Sequence, residues 1–120
     1  MKIAVTATDQ DLSAAVDPRF GRCPYFILVD PDSMEFQVVE NSQNLNLPQG
    51  AGIQAGKTIA DVRADVLITG NCGPKAFKVL EQAGVQVITR AGGTVAEVIE
   101  KYKNGALRPA TQPNVEGHWV

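Results

Sequence analysis

Asp65-Val-Leu-Ile-Thr-Gly-Asn-Cys-Gly-Pro-Lys-Ala-Phe77 changes its periodicity at Pro74. Before that point a short aliphatic run ending in Thr69-Gly70 reads as a buried strand. After it, Phe77, Val79, Leu80 and Ala83 recur at helical spacing. Pro74 suits a first helical position, where its missing N–H would have no partner in any case, and Gly84 supplies the stop. Val85-Gln-Val-Ile-Thr89 then resumes as a strand. Strand, helix and strand in succession define an α/β fold.

Working outward, Arg90 to Gly93 is a turn and Thr94 a helix cap, followed by Val95, Val98, Ile99 and Tyr102 on one helical face and a stop at Asn104-Gly105. Upstream, Lys2 to Thr8 predicts a buried strand, and Asp9 to Arg22 a long loop without period. Tyr25 to Val29 and Glu35 to Val39 flank Pro31-Asp-Ser33 as a β-hairpin. Asn41 to Gly50 is a second polar loop, and Ile53, Ile59 and Val62 mark a helix. The order is β-β-β-α-β-α-β-α, a five-stranded mixed sheet with helices on its faces. One domain is expected over residues 1–107 and an irregular tail over 108–120.

Composition agrees. The 120 residues are 44% hydrophobic and 20% charged, an ordinary globular balance with enough core to fold without disulfide staples. With 11 basic and 13 acidic side chains the net charge is -2, which opposes a broad polyanion footprint, so no nucleic-acid partner is expected. No apolar run approaches the ~18 residues of a membrane helix, and no membrane association is expected. The opening Met1-Lys-Ile-Ala-Val5 lacks a secretory pattern, so a cytoplasmic protein with free Cys23 and Cys72 is expected.

A hairpin makes the second strand antiparallel to the first and third, and crossovers through helices make strands one, four and five parallel. The loops Asp9–Arg22, Asn41–Gly52, Asn71–Lys75 and Arg90–Thr94 then share one edge with Cys23. Open α/β sheets bind ligands at that carboxyl edge. Three segments there carry candidate chemistry. Arg19, Phe20, Gly21, Arg22 and Cys23 put two cations, a ring and a thiol in one loop, able to hold an anion bidentately. The plain structural alternative pairs an arginine with Asp17 and plugs the core with Phe20 and Cys23. Asn71, Gly73 and Lys75 surround Cys72 at a helix N-terminus, which suits an anion or simply a tight turn. Gly50 and Gly52 carry the same two readings. Ala51-Gly-Ile-Gln-Ala-Gly-Lys-Thr58 loosely matches a phosphate-binding loop, but it falls inside the expected helix with no strand before it.

Catalytic sets are thin. The single histidine, His118, lies in the tail, and no Ser-His-Asp order or spaced cysteine pair is present, so a non-enzymatic role is expected. A metal nuclease would need carboxylates around the central strand, which offers Thr6 and Thr8 with only Asp9 beyond. Cys23, Cys72 and His118 could together ligate a metal if the tail folded back.

The motifs Asp17-Pro-Arg-Phe-Gly-Arg-Cys-Pro-Tyr-Phe26, Gly50-Ala-Gly-Ile53, Thr69-Gly70 with Gly73-Pro-Lys-Ala-Phe77, Gly84-Val85 and Thr94-Val95 resemble the dinitrogenase iron-molybdenum cofactor biosynthesis family over nearly the whole chain. The resemblance implies a three-layer α/β/α domain with a ribonuclease H-like motif, sheet order 3-2-1-4-5 and strand two antiparallel. It also implies a small stand-alone binding, carrier or scaffold protein for a metal-sulfur cluster containing molybdenum, iron or copper. One branch of the family holds its cluster largely by charge and packing, which suits an edge of Arg19, Arg22, Lys75 and glycine-rich backbone N–H groups. A cluster donor or acceptor protein is the implied partner. A monomer rather than a dimer is expected, although edge strands three and five leave pairing open. The competing reading is a metal-free partner-binding module in a redox or cell-division pathway.

Overall fold

The computed structural model describes residues 1–41 and 50–115. Its elements are β1 (Ile3–Ala7), β2 (Tyr25–Val29), β3 (Phe36–Glu40), α1 (Ala51–Asp61), β4 (Val66–Ile68), α2 (Pro74–Gln82), β5 (Gln86–Ile88) and α3 (Val95–Lys103). The sheet order is β3-β2-β1-β4-β5, with β2 antiparallel to both neighbours and β1, β4 and β5 mutually parallel. The expected mixed sheet is therefore the observed one.

Strand alternation sorts the core into two layers. Ala4, Phe26, Leu28, Leu67 and Val87 face α1 and α2, meeting Ala55, Ile59, Ala76, Phe77 and Leu80. Ile3, Val5, Ile27, Val29, Val66, Ile68 and Ile88 face the opposite way, onto Val95, Val98 and Ile99 of α3. All five β1 residues are buried, as a central strand covered on both faces requires. The match to a phosphate-binding loop lies within α1, where Gly56 faces α2. A Cβ there would come within 3.0 Å of Val79 Cγ1, so this glycine permits close helix contact.

The helix boundaries obey local chemistry. Pro74 stands in the first turn of α2, and Gly84 follows that helix with φ 77°. Thr94 caps α3 reciprocally: its hydroxyl accepts the Glu97 amide while Glu97 accepts the Thr94 amide. The Thr94 amide, and after it the Thr94 hydroxyl, hold the Glu97 carboxyl below its ordinary pKa. Residues 108–115 form no helix or strand, yet they are fastened down: the Ala110 amide donates to the Val87 carbonyl at 2.7 Å, and Asn114 reaches the β4–α2 turn. Among the described residues no helix is long and apolar enough to cross a membrane.

Candidate functional site

Because β1, β4 and β5 run the same way, the loops that follow them leave from one edge. Two of them are joined directly. Arg19 and Asn71 form an isolated parallel bridge, in which the Asn71 amide donates to the Pro18 carbonyl at 2.8 Å and the Phe20 amide to the Asn71 carbonyl at 3.3 Å. Gly70 makes this possible, because a Cβ there would lie 2.6 Å from Pro18 Cα. Residues 17–23 and 70–75 thus form one continuous surface.

Asp17 organises the first loop. Its side chain is 3% exposed. Oδ1 accepts the Arg19 amide at 2.9 Å and pairs with the Arg19 guanidinium at 3.3 Å. Its carbonyl accepts the Thr6 hydroxyl at 2.7 Å, and that hydroxyl also meets the Thr69 hydroxyl at 3.0 Å. The Arg19 side chain nevertheless remains 51% exposed, since only its inner edge is engaged. Phe20 is fully buried, with its ring centroid 5.8 Å from that of Phe26. Gly21 abuts the start of α1: a Cβ there would lie 2.7 Å from the Gly52 nitrogen. Sequence reading extends the second loop to Gly52, whereas α1 begins at Ala51, leaving Gly50 exposed in the left-handed region as the N-cap and Gly52 buried inside the helix. Gly21 and Gly52 therefore pack backbone on backbone, and Gly52 is not an open cradle.

Arg22 is half-buried, and Lys75 is exposed in the first turn of α2. Two backbone donors of the neighbouring turn are already engaged. The Asn71 amide serves Pro18, and the Cys72 amide donates to Asn114 Oδ1 at 2.8 Å. The tail side chain thus occupies one donor of the turn that precedes α2. Gly73, the N-cap of α2, is buried and extended.

Both thiols lie in the core with no exposed surface. Cys23 Sγ donates to the Phe20 carbonyl at 3.3 Å, and its own carbonyl accepts Asn41 Nδ2 at 2.8 Å. Burial, reinforced by the Asp17 charge, pushes the Cys23 thiol far above its ordinary value, and burial pushes Cys72 up to about 12. Protonated thiols are poor metal ligands. His118 lies outside the described residues, and among those described no three His, Cys, Asp or Glu side chains form a group suited to a metal ion.

Two structural residues escape sequence reading. Asn41 is buried at the end of β3 and donates to the Gly21 and Cys23 carbonyls, stitching the arginine loop to the sheet. Asn114 performs the matching task at the β4–α2 turn, where Nδ2 donates to the Gly70 carbonyl at 3.2 Å and to Asn71 Oδ1 at 3.1 Å. Each sits in an unpatterned segment, so no periodicity singles it out.

Residues 1–105 match the family model described as dinitrogenase iron-molybdenum cofactor. An uncharacterised protein of Methanocaldococcus jannaschii is 32% identical over 110 residues, covering 89% of each chain. Among solved structures, the apo form of the orange protein from Desulfovibrio gigas superposes with a TM-score of 0.92 at 40% identity, covering 95% of this chain and 96% of that one. A NifB-like protein of Thermotoga aligns with a TM-score of 0.81 at 35% identity, covering 97% and 98%.

Proposed function

The chain belongs to the dinitrogenase iron-molybdenum cofactor family, and from that membership we propose that it is a non-enzymatic carrier or scaffold for an anionic metal–sulfide cluster. The cargo contains molybdenum, iron or copper, and it sits at the carboxyl edge of the sheet. The Arg19–Asn71 bridge is the observation that carries this reading, because it joins the loop that bears Arg19 and Arg22 to the turn that leads into Lys75 and α2. Arg19 and Lys75 present their charge outward, with Arg22 adjoining. A sulfide cluster of net negative charge rewards such cations through charge-assisted hydrogen bonds.

The donor set fits an anion held by charge and shape better than a metal ligated by thiolate. Cys23 and Cys72 are buried and kept protonated, so their task is to pack the floor beneath the loop. Phe20, Gly21 and Asn41 hold that loop rigid, so the arginines need little reordering when cargo arrives. Asp17 fixes the inner edge of Arg19 and leaves the rest of the guanidinium for the ligand. A cluster donor and a cluster acceptor protein are the partners this role requires.

Purification from the native host without oxygen, with total metal analysis and a visible spectrum, tests the proposal. Stoichiometric metal with sulfide-to-metal charge-transfer bands is the expected result. A colourless, metal-free protein that also fails to take up thiomolybdate clusters would overturn it in favour of a partner-binding module.

A further inference from the structure

On the other side of the Gly70–Cys72 turn, residues 89–90 and 108–114 line a groove of about 310 Å³. Its polar lining is Thr89, Arg90, Arg108, Thr111, Gln112 and Asn114, and it includes no carboxylate. Arg90 and Arg108 are both exposed, and among the described residues neither guanidinium has a hydrogen-bond or ion-pair partner. Two uncompensated arginines in one groove stand out in a chain whose net charge is -2.

Both walls are fixed. Arg90 adopts φ 63°, a left-handed conformation that non-glycine residues seldom hold unless their surroundings impose it. Its amide donates to the Gly70 carbonyl at 2.7 Å, and the next amide, of Ala91, donates to the Thr69 carbonyl at 3.1 Å. The second wall is anchored two residues beyond Arg108, by the Ala110 amide on Val87, and at its far end by Asn114 on the Gly70–Cys72 turn. The groove also opens where β5 ends, on the edge at which parallel sheets receive ligands.

We propose that this groove binds a tetrahedral oxyanion between Arg90 and Arg108. Planar guanidinium forks match the paired oxygens of such an anion, and the hydroxyls of Thr89 and Thr111 and the Gln112 carboxamide supply further donors without opposing charge. The site shares no side chain with Arg19, Arg22 or Lys75, so it does not rest on the cluster-carrier reading.

The test uses the full chain labelled with nitrogen-15 at low ionic strength, titrated separately with inorganic phosphate, sulfate and molybdate against a chloride control. Saturable shifts at the Thr89, Arg90 and Arg108–Gln112 amides and at the two guanidinium Nε–H groups are expected. Affinity should fall at least about tenfold in Arg108→Gln and in Arg90→Asn. Asparagine is chosen at position 90 because it tolerates the left-handed backbone, and retained spectral dispersion verifies that each variant is folded. Shifts with all three anions support a general tetrahedral site, and shifts with molybdate alone support one selective for the metal oxyanion. Absence of saturable shifts, their persistence in both variants, or shifts confined to residues 19–22 and 75 would overturn the proposal. The last outcome leaves the cluster edge standing by itself.

Discussion

Asn114 and Cys72 are joined by a reciprocal pair of hydrogen bonds: Asn114 Oδ1 accepts the Cys72 amide at 2.8 Å, and the Asn114 amide donates to the Cys72 carbonyl at 3.2 Å. Forty-two positions separate the two residues. The contact fixes the tail on the turn that lies between the cationic edge and the Arg90–Arg108 groove, so it couples the order of both.

Asn114→Ala removes the side-chain acceptor for Cys72 and the donor to Gly70 and Asn71. Leaving the buried Cys72 amide without its partner should destabilise the protein by roughly 1–3 kcal/mol in denaturant titration. Hydrogen exchange of the Cys72 and Ala110 amides should quicken as the tail loosens. Unchanged exchange at both would show that the tail is held by other means.

Gly21→Ala and Gly70→Ala each drive a Cβ into backbone, at Gly52 and Pro18 respectively. Backbone cannot move aside as a flexible side chain can, so each should cost roughly 1–3 kcal/mol in urea midpoint analysis at constant slope. Gly84→Ala offers a comparison: its site is spatially open, and only the strain of φ 77° opposes the methyl group, at about 1 kcal/mol. A smaller effect at Gly21 than at Gly84 would contradict the tight loop-to-helix contact.

Arg19→Ala should separate binding from folding. The guanidinium is half exposed, and its pairing with Asp17 is screened by water, so stability should change by less than about 1 kcal/mol. Cluster retention, followed by the loss of visible absorbance during gel filtration, should fall in Arg19→Ala and further in the Arg19→Ala, Lys75→Ala double variant. Retention equal to the parent in both variants would remove these cations from the proposed site.

The buried thiols predict an alkaline loss of stability. Cys72 ionises at about 12 in the folded chain against an ordinary 9.0, and Cys23 is displaced in the same direction, both chiefly by burial. Below about pH 9 both states keep these protons and the contribution is whole. As pH rises from there towards 12 the unfolded chain releases protons that the folded chain retains, so stability declines. Denaturation midpoints measured across that range should decline less steeply in Cys72→Ala, and a thiol reagent at pH 8 should modify the native protein only as fast as it opens.

How much of this was legible beforehand depends on the range of the interactions. Thr94 is readable as a cap because its partner Glu97 is three residues away, and Pro74 is readable because its ring acts on its own turn. The hairpin and the alternation of β1 and β2 likewise announce themselves locally, and the edge that gathers the loops follows from strand direction. Arg19 was readable as a candidate, yet whether Asp17 would consume it was not. The structure answers that the pair forms and leaves half of the arginine outside. Phe20 and the two thiols could have faced the site or the core, and packing assigns them to the core.

By itself, then, the sequence determined the α/β class, the element order and the edge from which the long loops leave, because hydrophobic period, capping and turn chemistry act within a few residues. The tertiary structure alone decided which backbone donors remain free, that Gly21 packs on Gly52 and that Asn41 and Asn114 secure the loops. It also placed Arg108 in one groove with Arg90. Those outcomes join segments with no shared period, and only folding brings their polar groups within hydrogen-bond distance, where each buried donor must find a partner.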